Sequence, residues 1–326
     1  MQVVAPWRPG SVPIAPDAGC DAVAGRSVSA PATPLIEDVS DTARWVAFHR
    51  ALESERPDAL FVDPFARRLA GKRGRRIAER MPTVAGAHPG PRGLASALAV
   101  RTKAFDEMIL DSVRSIGADA VLNLAAGLDA RPYRLPLPSS LVWIEADRAA
   151  ILDEKTDRLA SAKPACIIER VAVDLADDQA RASLLDRVAA SHTRVVVVTE
   201  GLLVYLDEAR VASLAEGLRA RPSMRRWILE SVAPEVLKRN MRAWGKVLAR
   251  ANAEWKFAHP DGFDFFRPYG WSPTVRRPFM VEARRFGRGS EVPHAWLLRA
   301  LSSLSGRFRR RMENLVVYGI MQPNAE

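Results

Sequence analysis

Up to residue 117 the apolar positions fall at helical spacing; beyond it they gather into short strands separated by helices. The first 36 residues carry neither period, being rich in Pro, Ala, Gly and Ser, and read as a loosely ordered tail. Structure is expected to begin at Asp38–Asp41, with Ser40 or Asp41 as the N-cap of a helix whose apolar face is Trp45, Val46, Phe48, His49 and Leu52. Asp63-Pro64 opens a second, short helix, because proline suits a first helical turn. Residues 72–93 read as a loop with some helix, and Leu94–Ile116 as a long helix closed by Gly117.

From residue 120 the rhythm is strand, helix, strand. Ala120–Leu124, Val142–Ala146, Ile167–Val173, Arg194–Thr199 and Trp227–Val232 are expected strands, the fourth holding four consecutive valines. Helices over 148–161, 178–190 and 207–220 separate them, which predicts a parallel sheet with right-handed crossovers. A helical insertion over 234–256, an irregular aromatic stretch over 257–278, and two last strands, Met280–Phe286 and Asn314–Ile320, complete the chain. The expected organisation is an α/β domain over 37–326, made of a helical N-terminal cap (37–117), a core (118–233), a lid insertion (234–278) and final strands (279–326).

In such a sheet, ligands bind where strands end and strand order reverses. Ala125-Ala126-Gly127 is a small-residue turn after the first strand, and Asp147 ends the second strand 20 residues beyond Gly127. A carboxylate there can take both hydroxyls of a ribose, and Asp174, ending the third strand, can reach an adenine. Aspartates at strand ends also serve as helix caps; two at successive ends after a small turn favour a nucleotide-type site. The turn lacks the first and third glycines of G-x-G-x-x-G, which disfavours a nicotinamide enzyme.

Six ordered words resemble the leucine carboxyl methyltransferase family, in its actinobacterial branch. They are Arg44-Trp45-Val46-Ala47 with Arg50-Ala-Leu-Glu-Ser-Glu-Arg-Pro-Asp58 and Asp63-Pro64; Val100-Arg101-Thr102-Lys103-Ala-Phe-Asp106; Asn123-Leu-Ala-Ala-Gly-Leu-Asp-Ala-Arg131-Pro-Tyr-Arg134-Leu135; Trp143-Ile-Glu-Ala-Asp147; Val173-Asp174-Leu175; and Thr199-Glu200-Gly201-Leu-Leu-Val-Tyr205-Leu206. They run from about residue 41 to 210, with weaker echoes at Gly270-Trp271 and the last strand. The resemblance implies a class I methyltransferase fold, a Rossmann-like, seven-stranded, mostly parallel sheet, with S-adenosyl-L-methionine as cofactor. It implies that Arg101 pairs with the cofactor's methionine carboxylate, that Gly127 and Ala125 form the glycine loop, and that Asp147 binds the ribose. It further implies that Asp174 and Leu175 contact the adenine and that Glu200 faces the methionine end. Ala125 stands where founding members carry glycine. Arg148-Ala149 stands where relatives commonly have Gln-Pro, which should alter the rim and not the ribose contact.

The implied chemistry is methyl transfer to oxygen, on a carboxylate or hydroxyl of a small molecule such as a secondary metabolite. The alternatives are methylation of a protein C-terminal carboxylate, or a cofactor- or RNA-binding protein without catalysis. A carboxylate acceptor needs no general base, whereas a hydroxyl would profit from one; Tyr205, His49, His259 and His294 are the candidates. Arg44 and Trp45 are expected to close the site from above. Trp255, Phe257, Phe263, Phe265, Phe266, Tyr269 and Trp271 form an aromatic group able to enclose a flat substrate or to pack as a small core, and Arg267 is placed to hold an acceptor carboxylate. No His-x-x-x-His pair or Cys/Asp/His cluster suggests a metal.

Composition narrows the partners. Of 326 residues 48% are hydrophobic and 26% charged, values of an ordinary globular protein. The net charge of +10 would suit a nucleic-acid binder, but its basic clusters (Lys72–Arg76, Arg284–Arg288, Arg307–Arg311) are short, and none is interleaved with aromatic residues in a recognisable RNA-binding motif. There is no basic-then-apolar leader and no run of about 18 apolar residues. The two cysteines, Cys20 and Cys166, are too few for a disulfide framework. A cytoplasmic monomer or homodimer is the expectation.

Overall fold

Val195–Val198 are fully shielded from solvent, and they alternate. Val195 and Val197 face one hydrophobic layer, Val196 and Val198 the other. A strand buried on both faces is what helices packed on both sides of a parallel sheet require. The computed structural model describes residues 36–80, 91–251, 253–291 and 306–324.

The strands are β1 (Ala120–Leu124), β2 (Val142–Asp147), β3 (Ile167–Ala172), β4 (Val195–Thr199), β5 (Met224–Val232), β6 (Trp271–Pro278) and β7 (Val316–Pro323). They form one seven-stranded sheet in the order β3-β2-β1-β4-β5-β7-β6. The first five pair in parallel, and β7 runs antiparallel between β5 and β6. Strand order reverses between β1 and β4, so a cleft opens at their carboxyl ends.

The helices are α1 (Val39–Ser54), α2 (Ala66–Arg80), α3 (Pro91–Ile116), α4 (Arg131–Arg134), α5 (Ala149–Leu159), α6 (Asp178–Ser191), α7 (Glu208–Arg219), α8 (Pro234–Ala249), α9 (Phe279–Arg285) and α10 (Gly306–Glu313). One sheet face is covered by α6 and α7 through Leu184, Leu185, Val188, Val211, Leu214 and Leu218. The other is covered by α3 through Val100, Phe105, Met108, Ile109 and Val113. Helix α1 lies over the cleft, held by Arg50, whose guanidinium donates to Asp63 (2.9 Å) and to the Leu128 carbonyl (2.6 Å). None of the described helices is long and apolar enough to cross a membrane.

Three expectations change. The stretch Met280–Phe286 is the helix α9 and its following residue, and the strand lies earlier, over Trp271–Pro278, inside the stretch read as lid. As an edge strand β6 tolerates Pro273 and Pro278, which lack the N–H that an interior strand needs. Residues 72–80, expected as mostly loop, continue α2, whose two halves meet at a kink at Gly71. The cap of α1 is Asp38, whose carboxylate accepts from Ser40 N and Asp41 N; Asp41 instead pairs with Arg44 and Arg73. Cys166 is a buried free thiol, pushed up to about 11 by burial and by Glu145, while Cys20 and His294 lie outside the described residues.

His49 is 3% exposed and packs edge-on against Trp45, and neither ring nitrogen has a hydrogen-bond partner among the described residues. Burial pushes its imidazole down from 6.5 to about 4. Between those values the unfolded chain binds the proton and the folded one does not, so stability falls as pH falls through that window, by up to about 3 kcal/mol. Urea titrations at pH 7 and pH 4.5 are expected to show this loss, and His49→Leu to remove that part of it; an unchanged acid loss in the variant would disprove the assignment.

Candidate active site

The turn after β1 folds onto the end of β2. Ala125 N and Ala126 N both donate to the Ala146 carbonyl, at 2.8 and 3.3 Å. Gly127 N then donates to Asp147 Oδ2 (2.7 Å), and Arg148 N to Asp147 Oδ1 (2.8 Å). Burial raises the Asp147 carboxyl above its ordinary value and outweighs these two N–H bonds. Gly127 has φ +45°, and a Cβ there would stand 3.2 Å from the Ala43 methyl of α1. Ala125 adopts φ +57°, a left-handed conformation that glycine takes without strain. Ala125→Gly is therefore expected to be tolerated, while the β-branched Ala125→Val should lower stability by about 1–2 kcal/mol in chemical denaturation. Equal stability of the valine and glycine variants would contradict the strained backbone.

Asp174 follows β3 and accepts from Ala176 N (2.9 Å), and Leu175 beside it is buried. Glu200 follows β4. Its carboxylate lies between two arginines, with Oε1 2.9 Å from Arg101 Nε and Oε2 2.7 Å from Arg131 Nη1. The Arg101 contact is an ion pair without hydrogen-bond alignment, since Nε–H has no acceptor in line among the described residues. Arg131 also binds Asp106 (2.7 Å) and Asp129 (2.9 Å), and Arg134 adds a second fork onto Asp106. Burial would raise the Asp129 carboxyl, but Arg131 and the other cations around it overcome this and hold it well below the usual range.

One cavity of about 790 Å³ joins these groups. Arg101, Ala125, Gly127, Asp147, Asp174, Leu175, Glu200, Tyr205 and Trp45 all line it. Arg148, at the departure from the family pattern, also lines it and reaches Ser40 Oγ of α1 at 3.5 Å.

Other candidates lie elsewhere. Arg44 turns away to Asp41 and Glu154, because the helical period that aims Trp45 at the cavity carries its neighbour off it. Arg267 is on the surface, bonded to Asp264 at 2.6 Å. His259 packs on Phe265, with Nδ1 3.8 Å from Asp261, and His49 lies in the core; neither lines the cavity. The aromatic group divides: Phe263, Phe265, Phe266 and Trp271 are core residues, Phe257 and Tyr269 pack against them, and of the seven only Trp255 reaches the cavity.

Glu230 was missed. It ends the apolar run Trp227-Ile-Leu-Glu230 near the carboxyl end of β5, accepts from Gly201 N (2.9 Å), sits 3.5 Å from Arg101 and lines the cavity. Burial, opposed by Arg101 and reinforced by Glu200, raises its carboxyl. Its signal was present: a lone acid ending a buried strand, the pattern already read at Asp147 and Glu200.

Two crystal structures share the fold at 13% identity. A protein of Thermobifida fusca YX named as a methyltransferase matches with a TM-score of 0.52, covering 89% of this chain and 96% of that one. A DUF574-family protein of Streptomyces avermitilis MA-4680 matches with a TM-score of 0.51, covering 87% and 97%. Two mycobacterial relatives are named for S-adenosyl-L-methionine-dependent methyltransferase activity. That of Mycobacterium bovis (strain BCG / Pasteur 1173P2) is 36% identical over 216 residues, 61% of this chain and 68% of the relative. That of Mycobacterium sp. (strain KMS) is 31% identical over 278 residues, 79% of this chain and 92% of the relative. The protein is thus a class I methyltransferase that uses S-adenosyl-L-methionine. The leucine carboxyl methyltransferase model matches residues 43–219, more than half of the sequence, and the chain belongs to that family.

Proposed function

We propose that this enzyme methylates an oxygen, on a carboxylate or hydroxyl of a small molecule such as a secondary metabolite. The observation that carries this reading is one continuous cavity, in which the strand-end acids and an apolar wall share about 790 Å³, a volume within the range of small-ligand sites.

The residues fit the cofactor. Each Asp147 oxygen takes one backbone N–H and keeps acceptor capacity for a ribose hydroxyl. Arg101 has an unaligned Nε–H and matches a methionine carboxylate, while Glu200 supplies the charge to face its ammonium. Asp174 and Leu175 border the place for the adenine, and the Ala125–Gly127 turn lets the ligand approach the backbone. When bound, S-adenosylmethionine supplies an electrophilic methyl on a sulfonium. The protein's share is to orient the acceptor in line and to exclude water. For a hydroxyl acceptor, Glu230 is the buried acid on the cavity wall placed to take the proton; a carboxylate needs none. We place the reaction in the cytoplasm, where Cys166 stays reduced, in a monomer or homodimer.

The test is a transfer assay with methyl-labelled cofactor against small carboxylic acids, phenols and a peptide with a free C-terminus. Labelled ester or ether from the small molecules is expected. Labelling of the peptide alone would overturn the reading.

A further inference from the structure

Beyond the strand-end acids, the cavity wall changes character. Trp45, Trp244 and Leu248 form one hydrophobic cluster with the partly buried Val39, Val46, Leu94, Leu98, Tyr205 and Trp255. Every one of these nine lines the cavity. The indoles meet edge to face, Trp45 on Trp244 at 5.9 Å and Trp244 on Trp255 at 5.6 Å between centroids. A core cluster ordinarily closes on itself; this one presents a side to open space.

Two polar atoms in that wall are unpaired. The indole N–H of Trp45, a residue 7% exposed, and that of Trp255 are buried and have no acceptor among the described residues. An indole N–H only donates, and leaving it buried and unpaired costs free energy. Trp255 also stands beside the Glu200–Tyr205 turn, because Lys256 N and Phe257 N donate to the Val204 carbonyl at 2.6 and 3.2 Å. Trp255, which carries one unpaired donor, therefore lines the cavity beside the segment that leads from the cofactor's methionine end.

We propose that the acceptor is an apolar molecule with a single carboxyl or hydroxyl group. Its hydrocarbon skeleton lies on Trp45, Trp244, Leu248 and Leu98, and its oxygen is turned toward Tyr205 and Trp255. A sugar, a nucleoside or a polar peptide would surrender hydration along this wall without recovering hydrogen bonds. The inference rests on the proposed O-methyl transfer and names its substrate class.

The test is calorimetric binding to the full chain, with and without saturating S-adenosylhomocysteine, using naphthoic acid, naphthol, dodecanoic acid and gluconic acid as probes. The three apolar probes are expected to bind and gluconic acid is not. Trp244→Ala should weaken them roughly tenfold to a hundredfold, the worth of one large apolar contact surface. Trp255→Phe keeps an aromatic ring at a half-buried position and removes the donor together with part of the indole surface; it should weaken naphthoic acid about threefold to tenfold. Neither variant should alter S-adenosylhomocysteine binding, which also reports that it is folded. Gluconic acid binding as well as naphthoic acid, or apolar probes unaffected by Trp255→Phe, would overturn the proposal. Binding is read without turnover, so failed methyl transfer with intact apolar binding would count against the proposed reaction and not against this site.

Discussion

Asp147→Ala is expected to weaken binding of S-adenosylmethionine about a hundredfold or more. In the proposed ribose role Asp147 is the acceptor for two hydroxyls, and hydrogen bonds to a charged group contribute about 1.5–3 kcal/mol each. The substitution also leaves the Gly127 N–H, now bonded at 2.7 Å, without its partner in a buried turn. Asp147→Asn should fall between the two, because an amide offers one acceptor oxygen and sets its NH₂ against a backbone N–H. The charge has its own signature. Burial raises this carboxyl above the ordinary 3.8, and hydroxyl donors favour its ionised form, so affinity should fall as pH drops through the raised value. Stability responds in the opposite sense: a carboxyl whose folded value lies above its unfolded value favours the folded state as pH falls across that interval. Calorimetry of the alanine variant decides the matter, and affinity within about threefold of the parent would contradict the ribose role.

Arg131→Met should cost about 3–5 kcal/mol of stability, seen as a lower denaturant midpoint. Arg131 is 3% exposed and its guanidinium serves Asp106, Asp129 and Glu200 at once. Removing one partner from a buried ionic array leaves charges that neither water nor protein compensates. Asp106 would keep Arg134 and Glu200 would keep Arg101, which bounds the loss. Arg131→Lys should rescue little, since a point charge cannot fork onto three carboxylates. The exposed pair Arg75–Glu79, 67% and 56% exposed, is the control: its removal should leave stability unchanged within error. A wild-type midpoint for Arg131→Met would show that the array carries no net stability.

Much of this molecule was legible before the structure, and the reasons are local. Ala120–Leu124 and Val195–Thr199 are buried along their whole length, so a short β-branched or apolar run sufficed to find them. Asp147 and Asp174 followed from the ends of the second and third strands, and Glu200, just after the fourth, from its family word. β6 was hidden because Trp271-Ser-Pro-Thr-Val-Arg-Arg-Pro has the prolines and arginines of an edge strand, which faces no demand for continuous apolarity. Arg44, expected to close the site, and Arg267, expected to hold a carboxylate, lie off the cavity because residue type says what a side chain can do, and only the phase of a helix says where it points. Arg131, Asp106 and Asp129 lay in recognised words without a role, since their partnership needs α3 laid against the turn after β1. A pairing of that kind has no sequence period.

The place of β7 has a consequence in time. The last of the seven strands to emerge during synthesis is an interior one, hydrogen-bonded to β5 along Trp227–Val232 and to β6 along Trp271–Pro278. Until it arrives, those two strands have no partner between them, and the half-sheet ends in the open edge of β5, two strands from the cleft. On the ribosome the nucleotide-binding half can assemble early, but an unpaired edge seeks other strands. For a translating cell, the hazardous interval is the one between the completion of β5 and the emergence of β7.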